Sequence, residues 1–140
     1  MSRYVKALLD TGIIVTFYNS ADCYHEAVVG FLSECDRQLV TTTGCITESM
    51  WLLARSWRLQ NAFLNHLAQG IYTSEPLLAE DFLRIAELNK QYADLPGDFS
   101  DLSLVSISER LDIPEIATLD KDFGIYRRYR KQPFNRIFYP

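Results

Sequence analysis

The segment PEIATLDKDFGIYRRYRK, residues Pro114–Lys131, predicts a short buried strand that stops at a carboxylate, Asp120. Near the other end of the chain, the segment YVKALLDTG has the same pattern and runs into Asp10. In open α/β sheets, functional sites lie at the carboxyl ends of the strands. The two acids can therefore meet at one edge of a sheet if their strands are neighbours.

Strands and helices alternate along the whole chain. Apolar and β-branched runs predict strands at Tyr4–Leu9, Arg37–Thr43, 71–76 and 113–120, with a last edge strand at 134–140. Helical periodicity predicts two segments within 13–36, broken near Asn19–Asp22, and helices at 46–57, 61–70, 77–93 and 100–112, with Ser100 as the N-cap of the last. This order predicts one domain, residues 1–140. We expect an α/β fold of three layers, with helices on both faces of a mainly parallel sheet of four to five strands.

The composition excludes several classes of protein. A net charge of −4 and a pI near 5.1 argue against a protein that coats nucleic acid through its overall charge. The three cysteines are odd in number and have no CxxC spacing, so we expect no disulfide framework and a reducing compartment. No apolar run approaches the roughly 18 residues of a membrane span, and we find no signal-peptide pattern. These features predict a cytoplasmic protein with no membrane segment.

Four acids occupy related places in the predicted fold. Asp10 and Asp120 end strands, while Glu48 and Asp101 lie in the first turns of helices that follow strands or loops. Each has an ordinary structural explanation when it is considered alone. A first-turn acid complements the helix dipole, by about 0.3–1 kcal/mol, and a strand-terminal aspartate can form an Asx turn or a helix cap.

The four acids together are harder to explain as caps, because they would gather at the same edge of one sheet. Their repulsion would amount to several kcal/mol at an effective dielectric constant of about 20. A hard divalent cation with oxygen ligands, Mg²⁺ or Mn²⁺, is the simplest compensation. Such an ion binds phosphate oxygens and lowers the pKa of a bound water, which points to metal-assisted phosphodiester hydrolysis. His25 and His66 fall in no motif, and we expect neither to act as a general base.

Three segments resemble, in order, the signatures of the PIN-domain nucleases: LLDTGIIVTFYN, TESMWLLAR and YADLPGDFSDLSLVSISERLDIPEIATLDKDF. The resemblance covers nearly the whole chain and is greatest to the VapC-type ribonuclease toxins of bacterial toxin–antitoxin systems. It implies an Mg²⁺-dependent endoribonuclease, with Mn²⁺ able to substitute, that cleaves single-stranded or structured RNA with a metal-activated water. It also implies a homodimer and a small antitoxin protein that blocks the site.

By position, the family's four metal-binding acids correspond to Asp10, Glu48, Asp101 and Asp120. We expect Asp10 and Asp101 to hold the principal metal, and Glu48 and Asp120 to complete the cage. The resemblance also assigns Thr118 as the hydroxyl residue beside the metal, which orients water or an acid.

Two nearby aspartates leave alternatives open. Asp98 lies three residues before Asp101 and is predicted to be an accessory ligand, with a loop cap as the alternative. Asp122 follows Asp120 by two residues. We assign the catalytic role to Asp120, because it directly ends the strand, and we expect Asp122 to cap the following turn.

Two further segments suggest contacts with other molecules. YRRYRK carries four cations, with Tyr126 before them and Tyr129 among them, and could hold phosphates and stack bases or be a solvated turn. The cations are Arg127, Arg128, Arg130 and Lys131. The segment MWLLARSW is apolar over a wide arc, which predicts core packing together with an antitoxin or dimer contact.

Three other functions are compatible with parts of the pattern. A PIN nuclease could act in RNA maturation rather than as a toxin, or the PIN scaffold could be a non-catalytic binding module. A receiver or haloacid-dehalogenase-like domain is disfavoured, because LDTG lacks the second aspartate of a DxD motif. The RNA target and the identity of the antitoxin are left open.

Overall fold

The computed structural model describes residues 5–95 and 97–140. Its centre is a five-stranded sheet in which every neighbouring pair of strands is parallel. The strands are β1 (Lys6–Leu9), β2 (Gln38–Thr42), β3 (Tyr72–Glu75), β4 (Glu115–Ala117) and β7 (Asn135–Arg136); an antiparallel ribbon of β5 (Arg127–Arg128) and β6 (Gln132–Pro133) precedes β7. The order across the sheet is β3-β2-β1-β4-β7. The predicted parallel sheet is confirmed, and Tyr4 of the first predicted strand lies outside the described residues.

Six α-helices connect the strands in the part of the chain that the structure describes: α1 (Thr11–Tyr18), α2 (His25–Glu34), α3 (Thr43–Leu52), α4 (Trp57–Ala68), α5 (Ala79–Gln91) and α6 (Phe99–Arg110). A short 3-10 helix, Lys121–Gly124, follows β4. Within the described residues, no helix combines the length and the apolar character that crossing a bilayer requires.

The prediction of one helix over 46–57 was wrong. Helix α3 ends at Leu52, and the hydroxyl of Ser56 accepts a hydrogen bond from the backbone N–H of Leu59 at the start of α4. Trp57 therefore begins a new helix, where its side chain is 60% exposed.

The helices cover both faces of the sheet, because side chains of successive strand residues point to opposite sides. On one face, Leu8 and Ile116 of the sheet belong to an apolar cluster that includes Leu88 of α5 and Leu104 of α6. The opposite face contributes a second cluster: Leu9, Leu39 and Ala117 pack with Ile14 of α1 and Phe63 of α4. The fold therefore has the three layers that the sequence predicted.

The register between β1 and β4 brings the two ends of the chain together. Leu9 pairs with Ala117, and the backbone N–H of Asp10 donates to the carbonyl of Ala117 across 3.1 Å. The next residues, Asp10 and Thr118, therefore leave the sheet side by side. The two strands named by the sequence pattern are neighbours.

Candidate metal centre and its surroundings

Asp10 is a buried carboxylate held at both oxygens. It is the N-cap of α1, where its Oδ1 accepts from the backbone N–H of Thr11 at 2.8 Å. Its Oδ2 accepts from the hydroxyl of Thr118 at 2.6 Å. The Thr118 oxygen in turn accepts from the backbone N–H of Asp120 at 2.9 Å. Thr118, the first residue after β4, therefore links Asp10 to Asp120, and it is fully buried.

Asp101 and Asp98 are fixed by the start of α6. The Oδ1 of Asp98 accepts from the backbone N–H of Asp101 at 2.9 Å, which makes Asp98 the N-cap. The prediction that Ser100 caps this helix was wrong. The capping role that was the alternative for Asp98 is observed, and its accessory role toward a metal stays a prediction.

The prediction that Asp120 directly ends the strand was wrong, because β4 ends at Ala117 and Asp120 lies three residues later, at the N-terminus of the short 3-10 helix. Its Oδ1 accepts from the backbone N–H of Asp122 at 2.8 Å, so Asp120 caps this turn. The cap that was predicted for Asp122 is therefore supplied by Asp120. Asp122 contributes its backbone carbonyl, which accepts from the N–H groups of Ile125 and Tyr126.

Three of the predicted acids converge. One carboxylate oxygen from each of Asp10, Asp101 and Asp120 lies within 4.8 Å of the other two. A cavity of about 310 Å³ opens beside them, and Glu48 of α3 and Asp98 also line it. The structure thus places all four acids of the sequence prediction, and Asp98, around one cavity, with Glu48 outside the group of three close oxygens. We call these five residues the acid cluster.

The charges of the acid cluster oppose one another. Burial raises the pKa of Asp10 from 3.8 to about 6, against the hydrogen bonds from Thr118 and Thr11, with a smaller contribution from the charges of Asp120 and Asp98. None of the ion pairs among residues 5–95 and 97–140 involves an acid of the cluster. No cationic side chain of these residues therefore lies within ion-pair distance of the cluster.

The pKa values of Asp101 and Glu48 are also raised. Burial, followed by the charges of Asp10 and Asp98, raises the pKa of Asp101 from 3.8 to about 8. The pKa of Glu48 is raised first by burial and then by the charge of Asp98. The donors are all carboxylate oxygens, which is the ligand chemistry that Mg²⁺ and Mn²⁺ prefer. The residues present fit a hard divalent cation.

The predicted basic surface is only partly available. Arg128 is 3% exposed, and its Nη2 donates to the carbonyl of Ser108 and to Oδ1 of Asp112. The prediction that Arg128 binds RNA was wrong, because its guanidinium is occupied in the protein interior. Tyr126 is also fully buried and cannot stack on a base.

The other three cations of the YRRYRK segment differ in whether their side chains are already bound by the protein. The Nη1 of Arg127 donates to backbone carbonyls of its own turn, those of Gly124 and Ile125. Arg130 and Lys131 are exposed, and Arg130 lies 3.5 Å from Glu87 of α5. This surface adjoins α5 and does not line the acidic cavity, so RNA binding by Arg127, Arg130 and Lys131 stays a prediction.

The histidines lie away from the cavity. The Nδ1 of His25 is 2.9 Å from the carbonyl oxygen of Thr16, and that of His66 is 2.6 Å from the hydroxyl of Tyr18. Neither lines the acidic cavity. The chemistry of the site therefore depends on carboxylates.

An apolar groove beside the acid cluster was only partly anticipated. Its cavity measures about 840 Å³ and shares Glu48 with the acidic cavity. Trp51, Phe82 and Phe99 line it, and Trp51 and Phe82 are 78% and 54% exposed. The ring of Phe82 stacks with the ring of Phe99, and their centroids lie 6.4 Å apart.

Comparisons with known proteins give a structural likeness. No family model matches the chain, and no curated protein was found to match it. The solved structure of VapC20 from Mycobacterium tuberculosis, described as a toxin that cleaves the sarcin–ricin loop, superposes with a TM-score of 0.79. The alignment covers 86% of this chain and 94% of that one, at 16% sequence identity. The chain therefore has the fold of a VapC-type PIN domain, as its sequence motifs predicted.

Proposed function

We propose that the protein is an Mg²⁺-dependent endoribonuclease and the toxin of a toxin–antitoxin pair. The observation that carries the proposal is the convergence of Asp10, Asp101 and Asp120, whose oxygens lie within 4.8 Å of one another without a cationic partner among the described residues. The likeness to VapC20, described as a sarcin–ricin loop cleaving toxin, supports the proposal that the substrate is RNA.

The three converging aspartates would hold the cation, which Mn²⁺ could replace. When bound, the ion supplies positive charge to phosphate oxygens and lowers the pKa of a water for attack on phosphorus. Thr118 and the N–H of Thr11 hold the two oxygens of Asp10 in one orientation. Glu48 and Asp98 line the same cavity and would complete the cage around the cation.

The apolar groove supports the proposal of protein partners. Exposed aromatic patches next to polar residues commonly mark protein–protein contacts. Trp51, Phe82 and Phe99 would be covered in a homodimer or by a small antitoxin protein, and the groove's shared wall at Glu48 would let a partner reach the acid cluster. We place this activity in the cytoplasm, where RNA and such a partner occur together.

Cleavage of RNA by the purified protein tests the proposed function. The substrates are total tRNA, a sarcin–ricin loop RNA and a single-stranded DNA of the same sequence, each with Mg²⁺, with Mn²⁺ or with EDTA. We expect metal-dependent cutting of RNA that is lost with EDTA and in Asp101→Asn. Asp94→Asn, which changes an exposed aspartate outside the cluster, is the matched control.

The outcomes separate the proposal from its alternatives. Cutting that persists in EDTA or in Asp101→Asn would contradict the metal-dependent mechanism. Absence of cutting of any substrate, together with no metal binding, would favour a non-catalytic module on a PIN scaffold. Growth arrest on expression of the wild type, but not of Asp101→Asn, would support a toxin over an enzyme of RNA maturation.

A further inference from the structure

The hydroxyl of Tyr126 lies beside the acid cluster and has no role in the function proposed above. Tyr126 is fully buried, and its hydroxyl donates to Oδ2 of Asp101 across 3.4 Å. A buried hydroxyl is costly unless it has a hydrogen-bond partner. Among the described residues, the partner of this hydroxyl is a carboxylate that we propose as a metal ligand.

The surrounding residues fix the ring of Tyr126. Tyr92 and Phe123 contact it edge to face, with centroids at 5.0 and 5.1 Å and interplanar angles of 85° and 73°. The backbone N–H of Tyr126 donates to the carbonyl of Asp122 at 2.9 Å. Because the ring is fixed on these sides, its hydroxyl stays at one position relative to Asp101.

The loop before α6 leaves space for this hydroxyl. A Cβ at residue 97 would collide with the oxygen of Tyr126, and only glycine avoids that contact. Gly97 therefore matters for the close approach between the loop and Tyr126.

We infer that Tyr126 is a positioning residue that orients the carboxylate of Asp101 for the divalent cation. The inference rests on the proposed metal site. A hydroxyl that donates to one carboxylate oxygen restricts the side chain's rotation and leaves the other oxygen free for the ion. Residues that hold a metal ligand in this way typically affect metal affinity by about 10- to 100-fold.

The test is Mn²⁺ binding by isothermal titration calorimetry to the wild type, Tyr126→Phe and Tyr92→Phe, with urea denaturation of each. Tyr126→Phe keeps the packed ring and removes the hydroxyl. Tyr92→Phe removes a hydroxyl from the neighbouring ring. The Tyr92 hydroxyl accepts from the backbone N–H of Arg127 and has no hydrogen bond to the acid cluster among the described residues. We expect Mn²⁺ affinity to fall about 10-fold in Tyr126→Phe and to be unchanged in Tyr92→Phe.

A second variant guards against loss of folding in the first. Gly97→Ala displaces the Tyr126 hydroxyl without removing it, and should also weaken Mn²⁺ binding. Equal Mn²⁺ affinities in the wild type, Tyr126→Phe and Gly97→Ala would overturn the positioning role and leave the metal site intact. Equal losses in Tyr126→Phe and Tyr92→Phe would show a general packing effect and would also overturn it. A wild type that binds no Mn²⁺ would overturn the proposed metal site, and this inference with it.

Discussion

Replacing Asp10 by asparagine should stabilise the metal-free protein while removing its activity. Asp10 is the most deeply buried of the three converging acids, and it lies among other carboxylates. Asparagine has nearly the same shape and keeps an oxygen that can accept from the N–H of Thr11. The substitution therefore removes a buried charge with little change in packing.

The pKa of Asp10 sets the size of the expected gain in stability. Folding raises this pKa from 3.8 to about 6, so the folded protein binds the proton more tightly than the unfolded chain does. The ionised carboxylate then destabilises the fold by about 1.4 kcal/mol per pKa unit, or about 3 kcal/mol in total. This penalty is absent below the unfolded pKa of 3.8, grows as pH rises and is complete above about 6.

Urea denaturation in EDTA measures the effect. At about pH 8 we expect Asp10→Asn to unfold with a free energy up to about 3 kcal/mol higher than the wild type. At about pH 4 the two proteins should be nearly equal, because Asp10 is protonated in the folded wild type. Asp94→Asn controls for removal of an exposed surface charge and should shift stability by less than about 0.5 kcal/mol at both pH values.

Bound Mn²⁺ should reverse the order of stability of the wild type and Asp10→Asn. Saturating Mn²⁺ stabilises a protein that binds it by an amount that grows with concentration, so the wild type should gain stability and Asp10→Asn should not. The reasoning would be refuted if Asp10→Asn were less stable than the wild type in EDTA at about pH 8. In that case the hydrogen bonds from Thr11 and Thr118 would outweigh the burial of the charge.

Three more substitutions test separate parts of the account. Thr118→Val should cost about 1–3 kcal/mol in urea denaturation, because it removes a buried donor and acceptor; Thr41→Val, whose hydroxyl has no partner among the described residues, should be neutral or stabilising. Equal changes in the free energy of unfolding for Thr118→Val and Thr41→Val would contradict the stabilising role of the Thr118 hydroxyl. Asp81→Asn should cost about 3 kcal/mol by the same assay, because the buried carboxylate pairs with Arg110; a loss under about 1 kcal/mol would show that the pair contributes little. Phe82→Glu, in the apolar groove, should lower the dimer fraction in light scattering while stability changes by less than about 0.5 kcal/mol; an unchanged mass would contradict a dimer through this groove.

The architecture could be predicted from local patterns because the central strands β1, β2 and β4 carry buried apolar residues and are each followed by a polar residue. The pairing of Leu9 with Ala117 joins segments from opposite ends of the chain, and only the shared pattern of a strand followed by an acid indicated it. The break between α3 and α4 was missed because the apolar periodicity continues through it. Ser56 interrupts the helix there by capping the next one.

The sequence pattern identified the acids that line the cavity, but it did not identify the side chains and caps that hold them in place. Both Asp98 and Ser100 are good N-caps, and the sequence does not show which of them reaches the free N–H groups of α6. Arg128 looked like part of a basic surface because its partners, Ser108 and Asp112, are distant in sequence. The contact between Tyr126 and Asp101 likewise depends on tertiary packing that no local spacing encodes.

Direct measurement of Mn²⁺ binding to the wild type and to Asp101→Asn tests the central claim that the acid cluster is a metal site. Calorimetry without RNA gives the affinity independently of any choice of substrate. We predict saturable binding by the wild type and by Asp94→Asn, and at least about 10-fold weaker binding by Asp101→Asn. Absence of binding by the wild type, or equal binding by Asp101→Asn, would contradict the account.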